Sequence, residues 1–69
     1  MNVSGDVREQ IQKLLITGDN RLKQGVSADK VRETYEQALA LARENGLEEK
    51  IRPLVDVRLA DLDRLASGS

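Results

Sequence analysis

Lys23-Gln24-Gly25-Val26-Ser27-Ala28-Asp29-Lys30-Val31 is the stretch that decides the fold. Glycine enters the left-handed backbone region without a Cβ clash, so Gly25 reads as the stop of one helix. Ser27 reads as the N-cap of the next, and Val26 before it can fold onto Val31 as a hydrophobic staple. Two helices joined by so short a link must lie antiparallel.

Upstream of that turn, Val7, Ile11, Leu14, Leu15, Gly18 and Leu22 fall on one helical face. Asp6 with Glu9 three residues later reads as a capping box, and Lys23 suits the negative end of the helix dipole. The spacing predicts a helix over 7–24. Downstream, Val31, Tyr35, Ala38, Leu39 and Ala42 form a second stripe that ends at Asn45-Gly46, where Leu47 can return onto Ala42 in a Schellman arrangement. That helix is expected over 28–45. A third stripe runs through Ile51, Leu54, Val55, Leu59, Leu62, Leu65 and Ala66. Pro53 sits in its first part, so the third helix either begins near Lys50–Arg52 or is kinked there; it is expected over 50–66, with Ser67-Gly68-Ser69 frayed. Period-two alternation never persists. The fold class is all-α: three antiparallel amphipathic helices in a single domain spanning 1–69.

Composition narrows the chemistry. The 69 residues include no Cys, His, Trp or Phe and a single Tyr. A chain this short buries only about 60% of its unfolded surface, so the core is thin and aliphatic. Without Cys there is neither a thiolate nucleophile nor a sulfur ligand, and without His the usual general base and nitrogen ligand are missing. Asp56, Asp61 and Asp63 spread around their helix and have no calcium loop, so no metal site is expected. No glycine-rich phosphate loop occurs between Gly18 and Gly25, no serine has a histidine base, and neither an enzyme nor a cofactor is expected. The formal net charge of −1 gives no pull toward nucleic acid or an anionic membrane. No apolar run is long enough to span a bilayer, and Met1–Asp6 lacks the features of a secretory signal. A cysteine-free domain fits a reducing cytoplasm.

The stretch Leu14 to Ala42 resembles the tetratricopeptide repeat, a helix–turn–helix unit used to bind proteins. Leu14 and Gly18 carry the likeness on the first helix, Lys23-Gln24-Gly25 in the turn, and Tyr35-Glu36-Gln37-Ala38-Leu39 on the second. Thr17, Arg21 and Arg43 stand where the family prefers Leu, an aromatic and Pro, and the turn is one residue longer. The resemblance implies a TPR-like hairpin with the third helix as its cap, acting as a protein-interaction or adaptor module. Gly18 also needs a local reason, since an interior glycine costs about 1 kcal/mol against Ala. Close helix packing by Gly18, Tyr35 and Ala38 supplies one, with the Tyr35 hydroxyl reaching water.

Four residues stand out as partner contacts. Ile16 lies opposite its helix's stripe, and Leu41 and Val57 lie off or at the margin of theirs, as a second apolar surface requires. Arg58 is a cation within the third helix's apolar arc. It snorkels, or pairs with Asp61 one turn along, or faces a partner's carboxylate. The expected partner is protein, and self-association comes first, because a thin core gains from shared burial. A dimerisation domain of a larger regulator is the nearest alternative. A helix-turn-helix reading on DNA is weaker, since Asp29 and Glu33 offset Lys30 and Arg32 at the start of the would-be recognition helix.

Overall fold

The computed structural model describes residues 3–68, with side-chain environments over 6–66. Three helices follow one another: α1 Val3–Lys23, α2 Ala28–Glu44 and α3 Glu48–Gly68. The three antiparallel helices expected from the periodicity are present, and none of the described residues is in a strand.

Both links are closed by the same device. At the end of α1, the Val26 N–H donates to the Arg21 carbonyl at 3.0 Å and the Gly25 N–H to Leu22 at 3.2 Å. At the end of α2, the Leu47 N–H donates to Ala42 at 2.8 Å and the Gly46 N–H to Arg43 at 3.4 Å. Gly25 and Gly46 hold φ of 81° and 73°, the left-handed values this bonding needs. The residue after each glycine, Val26 or Leu47, then packs against the core. Ser27 occupies the N-cap position of α2, but its side chain makes no capping bond. Its backbone carbonyl instead accepts from Lys30 and Val31, each at 3.1 Å.

The helix starts differ from the sequence reading. α1 begins at Val3, which puts Asp6 within the first turn. Its charge there favours the positive end of the helix without acting as a cap. α3 begins at Glu48, and Pro53 is its sixth residue. The Schellman closure fixes Leu47, whose carbonyl accepts from Lys50 and Ile51, so the helix is launched before the proline is reached. Pro53 then removes a bond on an exposed face, where water can satisfy the freed carbonyl. At the other end α3 continues through Gly68; of the expected frayed tail, Ser69 lies outside the described residues, as do Met1 and Asn2 of the expected signal-free start.

α2 is the central element. It supplies Val31, Tyr35, Ala38 and Ala42 to a core completed by Ile11 and Leu15 from α1 and by Val55 and Leu62 from α3. Side-chain pairs fix the antiparallel order: Arg21 donates to Thr34 at the α1–α2 end, and Arg32 pairs with Asp63 while Arg43 pairs with Glu48 along α2–α3. α1 and α3 therefore run the same way, both against α2.

Gly18 makes the close packing possible. A Cβ there would lie 2.4 Å from Tyr35 Cε1 and 2.8 Å from Cδ1. The ring cannot swing aside, being 1% exposed and tethered at its hydroxyl. Gly18→Ala should therefore destabilise by about 1–3 kcal/mol through overpacking, outweighing a helix-propensity gain of about 1 kcal/mol. Gly46→Ala meets no atoms within 4 Å, and should lose about 1–2 kcal/mol from backbone strain alone. Urea unfolding of both variants checks the two mechanisms; a more stable Gly18→Ala protein would refute the packing role.

Candidate functional site

The polar centre of the molecule is the Asp19 carboxylate on α1. Tyr35 of α2 donates its hydroxyl to Asp19 Oδ1 at 2.5 Å. Arg58 of α3 donates Nε to Oδ1 at 3.1 Å and Nη2 to Oδ2 at 3.2 Å, a two-pronged pairing. Arg58 Nη1 also donates to the Leu54 carbonyl one turn back at 3.1 Å. One carboxylate thus joins all three helices and pairs α1 directly with α3.

The electrostatics follow from that crowding. Partial burial opposes the charge on Asp19, but hydrogen bonds from Arg58 and Tyr35, with the charges of Arg58 and Lys23, outweigh it. The pKa of Asp19 is lowered from its ordinary 3.8. Tyr35 moves the other way. Burial, the bond to Asp19 and the nearby negative charge raise it to about 12. The phenol therefore stays a donor and the carboxylate an acceptor across the neutral range. This arrangement holds helices in place; with the carboxylate's two oxygens bonded to a phenol and a guanidinium, it is not a free base.

Around this node lies apolar surface. Ile16 is 57% exposed, Leu54 46%, Val57 63% and Leu65 61%. Ile16 lies one turn before Asp19 on α1, and Leu54 one turn before Arg58 on α3. Because those helices run the same way and meet at Asp19–Arg58, the two side chains stand at the same height on either side of the ion pair. On α3, Leu54, Val57 and Leu65 share a strip beside the buried Val55–Leu62 line, with Asp61 among them paired to Arg64.

The sequence-derived residues divide accordingly. Ile16 and Val57 are exposed as expected. Leu41 is half-buried and packs against the core, which removes it from the exposed set. Arg58 pairs within the chain with Asp19, and not with Asp61, which pairs with Arg64. Tyr35 is a core filler, but its hydroxyl meets Asp19 and not water. Gly18, Tyr35 and Ala38 are all buried at the α1–α2 contact. The third helix's periodicity places Leu54 and Leu65 toward the core; because α3 packs mainly on α2, the buried arc is narrow and leaves them outside it. Asp19 was not singled out, since no local pattern separates it from the other carboxylates.

Elsewhere, a shallow hollow lined by Arg21, Val26, Lys30 and Glu33 lies at the α1–α2 turn. Arg21 already donates to Thr34 there, at 2.9 Å. Among the described residues no cluster of His, Cys, Asp or Glu could hold a metal ion, and no helix is long and apolar enough to cross a membrane.

No protein-family model matches the chain, and no curated protein or solved structure is similar to it.

The polar node yields a pH signature. A carboxylate with a lowered folded pKa contributes stability above its unfolded value, and that contribution is lost as pH falls below about 4 through the folded value. For Tyr35 the raised folded pKa favours the neutral phenol. Its contribution is intact below pH 10 and is lost as pH rises toward about 12. Asp19→Asn should flatten the acid limb while costing about 1 kcal/mol at neutral pH. Asp19→Ala should cost more, about 1–3 kcal/mol, because it strands the buried hydroxyl of Tyr35. Thermal melts across pH test both; equal losses for the two variants would refute the acceptor role of Asp19.

Proposed function

We propose that this chain is a non-catalytic protein-interaction module that offers the exposed side of α1 and α3 to another protein. The observation that carries the reading is the exposure of Ile16, Leu54, Val57 and Leu65, four large apolar side chains left in water on the two helices that the Asp19–Arg58 pair joins. A single exposed apolar residue means little, but several on one side of a small domain mark a docking surface. The ionisable groups beside them are already paired within the chain, Arg58 with Asp19 and Arg64 with Asp61. Binding here would rest on apolar burial, with little charge to steer the encounter.

A tetratricopeptide-like adaptor is the form this proposal takes. Its support is local: a glycine on α1 receives an aromatic from α2, and a third helix packs on α2 and completes the same core. The absence of cysteine from the sequence fits a reducing compartment such as the cytoplasm. The near-neutral charge weighs against nucleic acid.

Site-specific photo-crosslinking in cells tests the reading. A photoreactive residue at Val57 or Ile16 should give discrete protein adducts, including adducts of the chain with itself. The same probe at Gln37, exposed on α2, should give none. Equal labelling at all three positions, or none at any, would remove the docking surface.

A further inference from the structure

The occupant of that surface can be named from its area and spacing, an inference that rests on the interaction-module reading. The chain exposes 4973 Å². A compact monomer of this mass is expected to expose about 4,300 Å². The excess of roughly 700 Å² approaches the about 800 Å² that each partner contributes to a standard interface. The molecule is also elongated, 45 × 22 × 13 Å, so much of its flank has no covering layer.

Spacing supplies the second argument. Leu54 and Leu65 are eleven residues apart, close to three whole helical turns, so they lie on one line of α3 about 16 Å apart. Two apolar knobs on one line match their own image under a two-fold axis, the self-complementarity a symmetric dimer requires. We propose that a second copy of this chain covers the strip, with the two α3 helices antiparallel and Leu54 of each chain packed on Leu65 of the other. Val57 and Ile16 flank the seam. Charge agrees with this occupant: the formal net charge of −1 leaves two copies with little mutual repulsion. Arg58 and Asp61, which border the seam, carry their own counter-ions from the same chain. Neither would be buried as a bare charge.

Sedimentation equilibrium of the full chain, from micromolar to near-millimolar concentration, should show a monomer–dimer equilibrium. Leu54→Asp and Leu65→Lys should each retain helicity by circular dichroism, because both positions lie outside the buried core. Each alone should weaken dimerisation by about tenfold or more. An equimolar mixture should recover dimer, because the new carboxylate of one chain then meets the new amine of the other while the remaining leucines still pair. A wild-type chain that stays monomeric throughout overturns the proposal, as does a wild-type dimer whose two variants fail to rescue each other. A strict monomer that still forms adducts with another protein at Val57 would sink only the second-copy inference and leave the interaction-module reading standing.

Discussion

The packing of Tyr35 over Gly18 is the contact on which the rest of the structure depends. It seats the largest side chain of the core in the space the missing Cβ leaves on α1, and it carries the phenol through the α1–α2 seam to Asp19. Without the missing Cβ the ring has no room. Without the ring, a core otherwise built from Ile, Leu, Val and Ala has nothing long enough to reach the far side. The position of Asp19 then determines where Arg58 goes, and Arg58 sets α3 beside α1. A steric fact at one glycine thereby propagates into the placement of all three helices.

Polar and apolar contributions divide the labour. Apolar burial supplies most of the stability of a small domain but little direction. The Asp19 node supplies direction: a two-pronged guanidinium pairing tolerates few geometries. Half-buried, it avoids the full desolvation cost of an interior ion pair while escaping the weakness of a fully exposed one. Thr34 does the same on a smaller scale at the turn end. It is buried, with its hydroxyl donating to Lys30 and accepting from Arg21.

What the sequence discloses here is what local chemistry decides. The two helix stops were legible because Gly25 and Gly46 mark them by themselves, although only the second, with Leu47, declares its Schellman form in the sequence. The need for close approach at Gly18 was legible because an interior glycine demands a cause. The pairing of Asp19 with Arg58 was not: Arg58 stands out within its apolar arc, but 39 residues separate the two and nothing local marks Asp19 among the carboxylates. The exposure of Leu54 and Leu65 was hidden for a related reason. Periodicity reports which residues share a face, whereas the width of the face that becomes buried depends on how many helices cover it. The proline misled in the same sense: it marks a cost, and the preceding turn had already committed the chain to helix at Glu48.

Because Tyr35 is the sole aromatic residue in the sequence, the keystone of the fold is also its only near-ultraviolet chromophore. Optical signals from aromatic side chains in this molecule come from one ring, wedged between α1 and α2 and hydrogen-bonded to the carboxylate that holds α3. Native light absorption and emission thus serve as a built-in gauge of that junction, free of the averaging over many sites that blurs such readings in larger proteins.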